Sequence, residues 1–195
     1  MRTRKFSLSG NLLLAMTLLL AGTVAAAQNS DSDDKHIDVV APNTDVHLGT
    51  DADARKAGVP LYPGARLQKD EDNNNGVNVG VLTQAFGIKL VVAKYESSDS
   101  PSKIIAFYHK KLRRYGDVLV CHSHHQGTDV HSDNDKDHDR TAPVKCDDDN
   151  TGPVTELKVG TEGDQHVVAV EPGQDGKPTT FAIVYVYTRG KRGEI

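Results

Sequence analysis

The chain of 195 residues has no tryptophan, only two cysteines, two methionines and an aromatic share of 5%. With so little aromatic surface, its core is expected to rest mainly on Val, Leu and Ile. Two cysteines exclude a disulfide-dense scaffold and the four-cysteine zinc modules. Beyond residue 30 no long apolar run remains, so no later segment supplies the roughly 20 apolar residues of a spanning helix. An excess of basic charge is also missing, since 23 Lys and Arg face 27 Asp and Glu. Nucleic acid and anionic membranes draw their affinity from clustered Lys and Arg, so neither is an expected partner.

Catalytic signatures are absent too. The sequence holds no G-x-S-x-G, no H-E-x-x-H and no Gly-rich phosphate loop. Gly76 and Gly80 in NNNGVNVGV lack the βαβ surroundings of a dinucleotide fingerprint. His109 reads as a solvated or half-buried helix residue and His166, at the start of a strand, as structural. The chain is expected not to be an enzyme, with no catalytic residue assigned.

What is present begins with the first 27 residues. Arg2, Arg4 and Lys5 precede the apolar run Leu12 to Leu20, and Ala25-Ala26-Ala27 follow, the three-part layout of a secretory signal cleaved after Ala27. Thr17 interrupts the run, which is short for a membrane anchor. Thr23 stands where a lipoprotein would carry its lipid-bearing cysteine, so no lipid anchor is expected. Removing Arg2, Arg4 and Lys5 from the 23 cations leaves 20 against 27 acids, so the net charge moves from -4 to -7. The mature chain is expected in the periplasm or outside the cell, and off the membrane.

Residues 28–58 are Asp-rich with few large apolar residues, and read as a disordered acidic leader. Residues 59–195 read as a single domain. VNVGVLTQ (77–84) and IKLVVAKYE (88–96) form a predicted β-hairpin. A helix follows, with Ser100 as N-cap, Pro101 at its first position and Gly116 as its stop. Ile104, Ile105, Tyr108, Leu112 and Tyr115 make its apolar stripe. Strands are predicted at 117–122, 156–160, 165–171 and 179–189. The order β-β-α-β-(β)-β-β implies a two-layer α+β domain, an antiparallel sheet with one helix packed on one face. The other face, lined by small apolar residues, is expected to meet the leader or a second copy in a homodimer.

Leu61-Tyr62-Pro63-Gly64-Ala65, Ser100-Pro101, Phe107-Tyr108, Leu112 and Tyr115-Gly116 resemble a group of exported bacterial proteins in which a YPGA turn precedes an FY…L…YG helix. The resemblance spans roughly residues 59 to 122 and implies a fold but no activity. Tyr62-Pro63-Gly64 has its own physical account as a turn with an aromatic plug.

Cys121 and Cys146, the only thiols of an exported chain, are expected to form a disulfide. Between them lies HSHHQGTDVHSDNDKDHDRTAPVK, with five histidines. His122 and His124 project to one side of an extended backbone, and His125, His131 and His138 are the remaining candidate ligands of a Zn, Cu or Ni site. A calcium loop fails, because His138 stands where the sharp turn needs Gly and Val144 where the bidentate Glu belongs. The competing reading is a polar insertion, which needs no cofactor. Taken together, the sequence points to a small exported binding or interaction module for a protein or small ligand. The alternative is a periplasmic transition-metal binder acting through the His-rich loop.

Overall fold

The computed structural model describes residues 36–50, 52–68, 76–124, 139–147 and 149–190. The signal-peptide reading at 1–27 and the leader's first residues, 28–35, lie outside them. Among the described residues nine strands and one α-helix follow in the order β1 His36–Ala41, β2 Thr44–Gly49, β3 Arg66–Leu67, β4 Gly76–Thr83, β5 Gly87–Ser97, α1 Pro101–Leu112, β6 Leu119–Ser123, β7 Val154–Thr161, β8 Asp164–Glu171 and β9 Thr179–Arg189. The sheet order is β1-β2-β4-β5-β9-β8-β7-β6, with β3 paired off this path to one end of β5. Every pairing is antiparallel. With α1 packed against β7 and β8, this is the expected α+β architecture.

The leader reading is corrected for its described part. Residues 36–49 form a hairpin, β1 and β2, that adds two strands to the sheet beside β4. Its turn is Pro42-Asn43, and Asn43 takes the left-handed backbone (φ 68°) that Asn tolerates better than most residues. Residues 52–59 then fold into the core, where Ala52, Ala54, Ala57 and Val59 are all buried. Asp53 organises this turn by accepting the Arg55 and Lys56 backbone N–H groups at 2.7 and 2.9 Å. Those hydrogen bonds hold its carboxyl below the usual 3.8 against an opposing effect of burial, which is the largest single influence. The composition misled because alanine buries little area per residue and Asp here serves a turn rather than a solvated coil.

In α1, Ile104, Tyr108 and Leu112 are buried at spacings of four and face the sheet. Ser100 occupies the N-cap position with an extended backbone, but its side chain makes no capping hydrogen bond. Lys103 instead pairs with Asp99 at 2.8 Å across the first turn. A 3-10 turn, Arg113–Tyr115, carries the chain on to Gly116, where the predicted helix was to stop.

The core departs from the aliphatic expectation at its centre. Phe181 stacks on Tyr95 at 5.4 Å and lies 5.6 Å from Tyr108 and 6.3 Å from Tyr62, which meets Phe107 edge-on at 5.1 Å. Tyr62, Tyr95, Phe107, Tyr108 and Phe181 are thus gathered where the helix meets the sheet. Each buried tyrosine hydroxyl finds a partner, as apolar surroundings demand. Tyr95 accepts the Ala54 N–H at 2.8 Å, Tyr108 accepts the Tyr62 N–H at 3.1 Å, and Tyr62 donates to Asp99 at 2.9 Å. The Tyr62-Pro63-Gly64 turn is therefore an aromatic plug, with Gly64 at φ 77° supplying the left-handed step.

Cys121 and Cys146 form the expected disulfide. It ties residues 139–146 beside the β7–β8 turn, where Val144 N–H donates to Gly160 and Glu162 N–H to Ala142. Next to the bridge, on the sheet face away from α1, Glu156 and Lys158 are both buried with their charged ends 3.0 Å apart. Ser123 donates to the other Glu156 oxygen at 2.9 Å. Such a pair offsets its own desolvation only while both partners stay in place.

Candidate functional site

The helix is shorter than the sheet is wide. Past Leu112 the helix-side face is left to a concave region between the 55–58 turn and the strands. Antiparallel register decides which side chains meet there. Val91, Tyr185, His166 and Val159 lie in one cross-strand row, and Gly80, Lys89, Tyr187 and Asp164 in the next. The turn contributes Arg55, Lys56, Ala57 and Gly58, and the 3-10 turn contributes Tyr115. Lys89, Asp164, His166 and Tyr185 from these rows, together with the two turns' residues and Gly160, line a cleft of about 470 Å³, within the range typical of small-molecule sites.

His166 is its buried centre. Its ring stacks on Tyr115 at 3.9 Å and lies 4.7 Å from Tyr185. Burial pushes the imidazole below its ordinary 6.5; Arg114 adds to this, while Asp164 and a hydrogen bond to the Ala57 carbonyl oppose it. Burial and the hydrogen-bonded Asp164 carboxylate push the Tyr185 hydroxyl up to about 12, so it stays protonated. Lys89 places its ammonium 5.4 Å above the Tyr185 ring. The wall is locked at Gly58, whose carbonyl accepts from the Tyr115 hydroxyl at 2.6 Å and from Arg114. Gly58 has φ 77°, and a Cβ there would sit 2.9 Å from the Tyr115 oxygen, so a side chain would strain the backbone and push on that hydroxyl.

A second trough of about 290 Å³ continues the cleft along β2 and β4, sharing Lys56 and Lys89 and adding Asp45, His47, Asn78, Gly80 and Leu82. In it Asp38 accepts from His47 Nδ1, and Asn78 donates to Nε2 at 2.8 Å. Both ring nitrogens are thus committed, which orients His47 rather than offering it as a base. The main cleft is lined by Arg55, Lys56 and Lys89 against Asp164 alone. Asp164 is engaged by Tyr185, and Arg55 is paired with Asp53 at 3.0 Å. The balance is cationic in a chain that is acidic as a whole. A cationic, partly desolvated concavity lowers the energy of a bound anion, because the attraction grows as the effective dielectric falls.

The sequence-predicted metal residues lie elsewhere. His122 is exposed on β6, where its backbone N–H donates to Asn150 at 2.8 Å, and the His124 ring meets the Thr151 hydroxyl at 3.2 Å. His125, His131 and His138 lie outside the described residues. Among the described residues, no three His, Cys, Asp or Glu side chains converge in a metal-holding group. Of the residues that line the cleft, the sequence singles out only Tyr115, as part of the helix stripe, and His166, as a structural strand residue.

A pH dependence follows from His166. The folded form prefers the neutral ring, so the unfolded chain binds more protons as the pH falls below 6.5. Stability contributed by this group is full above that value and declines on acidification. His166→Phe, which keeps the stack, is expected to flatten the stability profile as the pH falls below 6.5. The carboxylates Asp53, Asp99 and Asp139, all held below 3.8, act only at lower pH. Denaturant unfolding across this range checks the expectation, and an unchanged slope in the variant would refute it.

Among the described residues, no helix is long and apolar enough to cross a membrane. The chain matches no protein-family model, no curated protein and no solved structure.

Proposed function

We propose that this is an exported binding module whose cleft takes a small ligand bearing a carboxylate or phosphate group. The layout of residues 1–27 and the Cys121–Cys146 disulfide support export to an oxidising compartment. The observation that carries the binding reading is the convergence of Arg55, Lys56 and Lys89 around a concavity walled by Tyr115, His166 and Tyr185. Lys89 is held over an aromatic face and has no carboxylate within ion-pair distance among the described residues. It reaches both parts of the trough. An anion there gains a charge-assisted hydrogen bond without having to displace an existing ion pair of that lysine.

Titration calorimetry with citrate, inorganic phosphate and benzoate as separate probes tests this reading. Saturable one-to-one binding that weakens with added salt is expected for at least one of them. Lys89→Glu should weaken that binding roughly 10- to 100-fold, the cost of losing one charge-assisted bond and adding repulsion. If all three probes fail to bind, or bind Lys89→Glu equally well, the cleft is not an anion site. The metal-binder alternative has no supporting geometry at His122 and His124 and rests on the loop between the cysteines.

A further inference from the structure

The face of the sheet away from α1 carries an aliphatic surface that the cleft does not use. Register places Ile37, Leu48, Val79, Leu90 and Val186 in one unbroken row across five strands. A second row runs Val39, Val46, Val81 and Ile88, and a third begins with Val77 and Val92. No charged side chain interrupts these rows over β1, β2 and β4. The reverse side of the same strands is polar, with Asp38, Asp45 and His47 alternating against the valines.

Coverage of this face stops part-way across. Over β8 and β9, Val167, Ala169, Ala182 and Val184 are at most 4% exposed. Over β1, β2 and β4, Ile37 is 61%, Val39 51%, Val77 43% and Leu48 40% exposed. Contiguous aliphatic surface of this kind often marks a place where another surface docks.

We infer that a second copy of this chain covers the open part, the two β1-β2-β4-β5 faces stacking about a two-fold axis. On β5 the charged residues of this side, Lys94 and Glu96, lie beyond the third row, so the aliphatic rows themselves need an uncharged partner, and an isologous contact supplies one from the same residues. Stacked sheets pack about 10 Å apart with the aliphatic rows interdigitating. Four strands about 4.8 Å apart, each contributing about six residues, present roughly 400 Å² of projected face per copy. The pair therefore buries on the order of 1,000 Å² of accessible surface, the low end of specific interfaces and that of a reversible dimer. Val184, already closed off in the single chain, does not take part.

Sedimentation velocity over a concentration series of the exported, oxidised protein tests the contact. The expected result is a monomer–dimer equilibrium that Leu48→Glu and Val39→Lys each shift toward monomer by at least about tenfold in Kd. Val40→Glu, on the opposite side of β1 and 81% exposed, should leave the equilibrium unchanged. Circular dichroism and thermal unfolding confirm that each variant is folded. A chain that stays monomeric at every concentration overturns the inference, and means that its own residues or a different partner cover the face. A dimer that survives both face variants overturns it equally and points to edge pairing through β1.

Discussion

Phe181→Ala is expected to cost about 3–5 kcal/mol of folding stability, a large share of the 5–15 kcal/mol typical of a domain. Phe181 is fully buried and is the shared neighbour of Tyr62, Tyr95 and Tyr108. Truncation removes one ring and leaves a void bounded by three others. Those three cannot collapse freely into it, because each hydroxyl is fixed: Tyr95 to Ala54, Tyr108 to Tyr62, and Tyr62 to Asp99. Moving a ring to fill the gap would leave a buried polar group unpaired, at a further cost of about 1–3 kcal/mol. The effect should also travel. Ala54 belongs to the turn that carries Arg55 and Lys56 into the cleft, so anion binding should weaken along with stability. Urea unfolding of the variant is the direct check, and a loss below about 1 kcal/mol would mean that the aromatic cluster is not the centre of the core.

Opening the disulfide is expected to cost about 3 kcal/mol, the chain-entropy value for a loop of this length, with 25 positions separating Cys121 from Cys146. Two local consequences add to the entropic one. Residues 139–146 would lose the restraint that keeps Val144 and Ala142 hydrogen-bonded beside the β7–β8 turn. The Glu156–Lys158 pair beside the bridge would gain access to water, relaxing a contact whose Oε2 partner is close but poorly aligned. Comparing guanidinium unfolding of the oxidised protein with a Cys121→Ala, Cys146→Ala variant measures the sum. Hydrogen exchange should locate the lost protection at Val144 and Glu162 first. If the variant matches the oxidised protein within about 0.5 kcal/mol, packing rather than the bridge holds the segment. The cleft residues on β5 and β9 lie away from Cys121, so anion binding is expected to persist.

Much of the architecture was legible because the relevant signals are local. The β4–β5 hairpin, the Pro101 start of the helix and the last two strands all declare themselves within ten or so residues. The helix stripe was read correctly at Ile104, Tyr108 and Leu112, whose spacing alone fixes a common face. The leader was misread because acidic residues masked a weak but genuine alternation. Ile37 and Val39 alternate with Asp38, and Val46 and Leu48 with Asp45 and His47, the period-2 pattern of a half-buried strand. A strand pair that short is marginal alone and becomes stable only when β4 supplies an edge to extend.

The cleft was not legible, and the reason is one of distance along the chain. Arg55, Lys89, Tyr115, His166 and Tyr185 come from five separate segments, with no motif spacing among them. His166 looked like an ordinary strand residue because its significance lies in the rings on either side of it, Tyr115 from the end of the helix and Tyr185 from the neighbouring strand. The prominent histidines between the cysteines drew attention because clustering in sequence is visible, whereas clustering across a sheet is not.

The α+β class, the β4–β5 and β8–β9 hairpins, the helix and the pairing of two lone cysteines could be read along the chain, since each follows from short-range periodicity, turn chemistry or elimination. That residues 36–50 and 52–58 belong to the fold, that Tyr62, Tyr95 and Phe107 gather around Phe181 and Tyr108, and that cations converge on the sheet beyond the helix emerged only from the three-dimensional arrangement. Those outcomes depend on strand register, and a shift of one residue would carry Lys89, His166 and Tyr185 to the aliphatic face.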